Sequence, residues 1–119
     1  MKVIIADDSR MIRSIIEKVT KSLGYDTLHA GNGQEALDHL EKEGGNVNLI
    51  LLDWNMPVMD GFTALKKIKQ NQKYSKIPVL MISTEAEEEK VQQVMKEGAK
   101  GYVSKPFTPE ELEEVLKKI

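Results

Sequence analysis

Apolar residues along this chain follow two alternating patterns. One is the short uninterrupted run, at residues 3–6, 49–52 and 77–82, with a weaker one at 101–104; the residue that ends or follows each is polar. The other recurs at three- and four-residue spacing: Met11, Ile12, Ile15, Ile16, Val19 and Leu23; Ala36, Leu37 and Leu40; Phe62, Leu65 and Ile68; Val91, Val94 and Met95; Leu112, Val115, Leu116 and Ile119. Runs of the first kind read as strands buried on both faces, and the spaced sets read as helices with one inward stripe. Residues 25–30 alternate only loosely, which fits an edge strand with one wetter face.

Punctuation between these segments agrees with that division. Gly24 stops the first spaced set, and Asn32 with Glu35 three residues on reads as a capping box for the second, which ends before Gly44 and Gly45. Asp60 can cap the third helix, whose Lys66, Lys67 and Lys69 lie outside its apolar stripe. Pro78 falls near the start of its strand, where a sheet tolerates it. Glu85, Glu87, Glu88 and Glu89 crowd the first turns of the fourth helix, at the positive end of its dipole, and Gly98 ends it. Thr108, Pro109 and Glu111 form a strong start for the fifth.

Five strands alternating with five helices imply right-handed crossovers and a parallel sheet covered on both faces. The expected architecture is a single α/β domain over residues 1–119. It is a flavodoxin-like (βα)5 doubly wound sheet with strand order 2-1-3-4-5, whose ligand crevice lies at the carboxyl ends of the strands.

Composition narrows what that crevice can do. Hydrophobic residues make up 40% and charged residues 30%, and no apolar run approaches the roughly 18 residues of a membrane span. With no signal peptide in the first residues, a cytoplasmic location is expected. The absence of cysteine excludes thiolate and disulfide chemistry, and two histidines are too few for a typical zinc site. A net charge of −2 without a basic stripe argues against nucleic acid as a partner.

The strand ends then supply the chemistry. Asp7 and Asp8 follow the first strand, Asp53 the third, Ser83 the fourth and Lys105 the fifth. Taken singly, the Asp pair reads as a turn and cap, Ser83 as an N-cap, Lys105 as a solvated lysine, Asn55 as a turn residue, Glu85 as a first-turn acid and Tyr102 as core. Four strand ends delivering acid pair, acid, hydroxyl and lysine to one rim point instead to a joint site. Clustered carboxylates repel unless a cation sits among them, and Mg2+ prefers such hard oxygen ligands. Asp8 and Asp53 are candidate metal ligands, with the Asn55 backbone carbonyl as another and Asp7 bonding a metal-bound water. With Lys105 and Ser83 converging on Asp53, the site is suited to phosphoryl binding and transfer, with Asp53 as nucleophile.

The runs Asp7-Asp8-Ser9, Asp53-Trp54-Asn55-Met56-Pro57, Asp60-Gly61, Ser83-Thr84-Glu85-Ala86 and Gly101-Tyr102-Val103-Ser104-Lys105-Pro106-Phe107 resemble the signatures of a response-regulator receiver domain over the whole chain. The likeness is greatest to single-domain chemotaxis regulators. It implies that Asp53 accepts a phosphoryl group from a histidine kinase or a small acyl phosphate with Mg2+ bound, and that Lys105 and Ser83 contact the phosphoryl oxygens. A cis Lys105–Pro106 peptide and a switch formed by Ser83 and Tyr102 are also implied. So is tuning of dephosphorylation by Asn55 and Glu85, and an output surface on the fourth helix, fifth strand and fifth helix.

The implied partners are the kinase, a phosphatase, and an effector such as a flagellar motor-switch protein. Two departures bear on output. Thr84 carries more bulk than alanine or glycine where Tyr102 would turn inward, and Glu87, Glu88 and Glu89 stand where lysines occur in enteric chemotaxis regulators. Competing readings are a phosphate sink without effector and a metal-dependent phosphatase or phosphotransferase. The latter is opposed by Asn55 in place of a second acid. A flavin carrier is disfavoured because two aspartates follow the first strand, where a flavin phosphate would need hydroxyls and glycines.

Overall fold

The computed structural model describes residues 1–84 and 87–119. Five parallel strands, β1 (Lys2–Ala6), β2 (Asp26–Ala30), β3 (Leu49–Leu52), β4 (Val79–Ser83) and β5 (Gly101–Ser104), lie in the expected flavodoxin-like order β2-β1-β3-β4-β5. They alternate with helices α1 (Arg10–Ser22), α2 (Gly33–Lys42), α3 (Gly61–Gln70), α4 (Glu88–Lys96) and α5 (Pro109–Lys117). Because successive strand residues face opposite ways, the inner strands feed two cores. Val3, Ile5, Leu49, Leu51, Leu80, Ile82 and Val103 pack with Ile16 and Val19 of α1 and Leu112 and Leu116 of α5. Ile4, Ala6, Ile50, Leu52, Val79 and Met81 pack on the other face with α2, α3 and α4.

Helix starts are set by side chains. Ser9, Asn32, Asp60 and Thr108 each accept from the backbone N–H three residues on, and Thr108 with Glu111 completes a reciprocal capping box. The box expected at Asn32 is only half present: the Glu35 carboxylate accepts from Gly31 N–H rather than from Asn32. Glu87 occupies the N-cap of α4 without a side-chain bond, so the acidic first turn contains Glu88 and Glu89. Glu85, assigned to that turn from the sequence, lies outside the described residues.

Several expected inward residues face water. Met11 is 72% exposed, Met95 and Ile119 are also exposed, and Val91 is only half-buried, leaving Val94 as the one fully buried side chain among the described α4 residues. Ile77 and Pro78 precede β4, though Pro78 still accepts from Ile50 N–H at 3.0 Å. Lys69, expected on the outer face of α3, folds back and donates to the carbonyls of Ser75 and Ile77 at 3.0 and 2.8 Å. Its partial burial, with Lys100 nearby, lowers its pKa. A four-carbon stem lets an amine leave the helix surface and cap a neighbouring loop, which spacing along α3 does not reveal.

Candidate functional site

Leu52 is the last residue of the fully buried strand β3, and Asp53 follows it, with its own N–H still bonded to the Ala6 carbonyl at 2.9 Å. That bond extends the β1–β3 ladder to the acid itself. A close approach also holds the loop beyond Asp53: a Cβ on Gly61 would stand 1.9 Å from the Asp53 carbonyl oxygen, and Gly61 N–H bonds the Trp54 carbonyl at 2.8 Å. Only glycine lets α3 begin there.

Asp7, Asp8 and Asp53 each bring a carboxylate oxygen within 4.8 Å of the others. Asp7 and Asp53 are buried and Asp8 is exposed. The Asp7 carboxylate accepts from Ser9 N–H at 2.8 Å, and its N–H bonds the Ala30 carbonyl at 3.0 Å. Lys105 reaches across from the end of β5, placing its ammonium 2.6 Å from Asp7 Oδ2 and 3.3 Å from Asp53 Oδ2. Burial pushes the Asp53 carboxyl up; the Lys105 charge opposes this and the Asp7 charge adds to it. Burial alone would lower Lys105, but its bond to Asp7 and the charges of Asp53 and Asp7 outweigh that and hold it above the ordinary lysine range.

One ammonium among three carboxylates leaves the cluster anionic. Hard oxygen donors in an anionic, partly open cleft fit a divalent cation of the Mg2+ type, with Asp8 facing the solvent side and Asp53 the interior. An open cleft of about 520 Å3 adjoins the cluster at Asp8 and is lined further by Asn55, Met56, Pro57 and Asp60.

Among the other sequence candidates, Ser83 is completely buried at the end of β4, in register with Ser104. Tyr102 pairs with Met81 across the β4–β5 ladder, packs against the core shared with α2, α3 and α4, and has its hydroxyl oxygen shielded from solvent. Thr84 is exposed. Lys105–Pro106 is cis. Trp54 stacks on Phe62 with ring centroids 5.4 Å apart, and Lys90 of α4 lies 5.8 Å from the Trp54 ring centre.

Asp60, in the Asp60-Gly61 run read from the sequence, lines that cleft as well as capping α3. One contributor escapes a sequence reading. Arg13 donates to the Asp7 backbone carbonyl, although nothing in its spacing on α1 marks it. A carbonyl acceptor leaves no trace in a sequence.

The fold and this rim are those of a receiver module of two-component signalling, and the chain belongs to the response regulator receiver domain family, whose model matches residues 3–117. Within it, the chain is similar to chemotaxis regulators of the CheY type. It is 39% identical to the chemotaxis protein CheY homolog of Campylobacter jejuni, covering 100% of this chain and 92% of that protein. It superposes on CheY4 of Vibrio cholerae with a TM-score of 0.90 at 37% identity, covering 99% and 97% of the two chains. A chain of the CheX–CheY–BeF3–Mg2+ complex of Borrelia burgdorferi matches with a TM-score of 0.92 at 28% identity, covering 99% and 87%. Such domains are signalling modules rather than turnover enzymes.

Proposed function

We propose that this protein is a chemotaxis-type response regulator in which Asp53 accepts a phosphoryl group from a histidine kinase. The observation that carries the reading is Lys105, whose ammonium bridges Asp7 and Asp53 at the ends of three different strands. In the transfer, an Asp53 carboxylate oxygen bonds to phosphorus while the phosphorus–nitrogen bond of the donor phosphohistidine breaks and its imidazole leaves. Asp8, Asp53 and the Asn55 carbonyl would hold Mg2+, with Asp7 bonding one of its waters; bound there, the metal supplies positive charge toward the phosphoryl oxygens. Burial of Asp53 limits water around the acyl phosphate, and Lys105 is close enough to share its charge between Asp7 and the new dianion. Ser83 supplies a hydroxyl donor, and Asn55 and Glu85 tune hydrolysis.

A dianion on Asp53 would interact differently with two positions of Ser83, and only such a difference can shift a population toward an altered Tyr102. Output then passes to an effector, such as a motor-switch protein, on the α4, β5 and α5 surface. The relative solved with BeF3 and Mg2+ supports, by analogy, metal and phosphoryl binding at the acceptor. Acidic Glu87, Glu88 and Glu89 on that surface select a partner of complementary charge.

The experiment uses Trp54, one residue from the acceptor. Its fluorescence should change saturably with Mg2+, then again, and only with metal present, on adding beryllofluoride. Asp53→Asn should abolish labelling by acyl phosphate; persistent labelling of that variant would remove Asp53 from the acceptor role.

A further inference from the structure

The bond from Arg13 to the acidic loop is one end of a polar chain that crosses α1 to the edge strand. Through Nη1 the Arg13 guanidinium donates to the Asp7 carbonyl, and through Nε it donates to His29 Nδ1 at 3.2 Å. The other ring nitrogen of His29, Nε2, lies 2.9 Å from Glu17 Oε2. Glu17 also accepts from Thr27 Oγ1 and sits 3.8 Å from the Lys21 ammonium. From α2, His39 Nε2 donates to the His29 backbone carbonyl at 2.7 Å. Glu35 also approaches the Arg13 guanidinium: its Oε1 accepts from Gly31 N–H at 2.7 Å, and a Cβ on Gly31 would be 3.5 Å from Glu35 Oε1 and 3.9 Å from Arg13 Nη1. On β1, the register partner of His29 is the apolar Ile5.

The donors settle where the His29 proton sits. A guanidinium offers no acceptor, so Nδ1 must accept and Nε2 carries the proton, donated to Glu17. A second proton can go only to Nδ1. There it removes the acceptor for Arg13 Nε and sets an imidazolium against a guanidinium, while Glu17 still holds the opposite side of the ring. Imidazole is the side chain whose charge changes within the physiological pH range.

We propose that Arg13 is a positioning residue for the acidic loop and that His29 governs its hold. The neutral ring keeps Arg13 on the carbonyl of the Asp7–Asp8 peptide, so the exposed Asp8 carboxylate stays gathered with Asp7 and Asp53. Protonation loosens that peptide, and the cation affinity of the cluster falls as pH falls. The consequence for Mg2+ rests on the receiver reading above; the coupling of His29 to the loop does not.

Nuclear magnetic resonance of the metal-free full chain, from pH 8 to about 5.5, tests the coupling. The Asp8 amide should shift with the midpoint that the His29 ring protons report. His29→Gln, which keeps an acceptor toward Arg13 and a donor toward Glu17 without titrating, should remove that step, whereas His39→Gln should retain it. Read by Trp54 fluorescence, wild-type Mg2+ affinity should weaken about 3- to 10-fold across the step, the range for one lost hydrogen bond. His29→Gln should lose the part of that weakening that tracks the His29 ring protons. Arg13→Lys, which keeps the charge and loses the fork, should bind weakly at every pH. An Asp8 amide indifferent to His29, or a step that survives in His29→Gln, overturns the proposal. Amide coupling with no Mg2+ binding in any variant would support the positioning role and defeat the metal reading instead.

Discussion

Asp53 is held in a form that the fold disfavours. Burial raises its carboxyl pKa, and a carboxyl raised in the folded state contributes stability below its unfolded pKa that is lost as pH rises through the folded value. At neutral pH the ionised group therefore weakens the metal-free fold. Asp53→Asn is expected to increase the free energy of unfolding at pH 7, with the gain vanishing below about pH 3.9, the ordinary aspartate value. Urea denaturation in metal-free buffer at both pH values checks it. Val58 carries a different strain. Met59 N–H returns to the Pro57 carbonyl at 2.7 Å, closing a three-residue turn whose central residue sits at φ +68° with an 83% exposed, β-branched side chain. Val58→Gly removes the clash and loses some unfolded-state advantage, so a net stabilisation of about 0.5–1 kcal/mol is expected from the denaturation midpoint, with the Trp54 response to Mg2+ retained.

Among the elements, α3 and α4 sit on the same face of the sheet but are anchored unequally. Asp60 caps α3, and Gly61, Ala64, Leu65 and Ile68 are buried; α4 has no side-chain cap bond at Glu87 and buries only Val94 among its described residues. Elements that move in signalling come from the weakly held end of a structure. Hydrogen exchange should show the slowest α4 amides exchanging at least about tenfold faster than those of α3 in the metal-free protein. Equal protection would mean that α4 is not the element free to respond. The contact of Lys90 with Trp54 ties this loosely held helix to the loop that follows Asp53, so a change at the proposed acceptor would have a short physical route to α4.

For the whole molecule, the acidic rim makes cation binding and folding one equilibrium. The unfolded chain cannot gather Asp7, Asp8 and Asp53 within 4.8 Å, so Mg2+ held by the proposed site would bind the folded state and stabilise it. At a hundredfold excess over Kd the gain is about 2.7 kcal/mol, an upward shift of several degrees in Tm. Chelator should reverse it and Asp53→Asn should abolish most of it; thermal unfolding followed with and without Mg2+ measures both. A shift of equal size in Asp53→Asn would place the cation elsewhere.

The sequence by itself determined the layered architecture, because alternation of apolar runs with three-and-four spacing leaves few ways to cover a parallel sheet. It also determined which residues stand on the rim, since Asp7, Asp8, Asp53, Ser83 and Lys105 each end or follow an apolar run, a signal local to the chain. Tertiary structure decided what those residues touch. Lys105 meets Asp7 and Asp53 only because β1, β3 and β5 end at one edge, and a salt bridge between positions 98 residues apart leaves no local pattern. Exposure of Met11, Met95 and Ile119 was likewise settled by where each helix stops meeting the sheet, which periodicity cannot show. Arg13 and Lys69 act through backbone carbonyls, an acceptor that every residue carries and no sequence distinguishes.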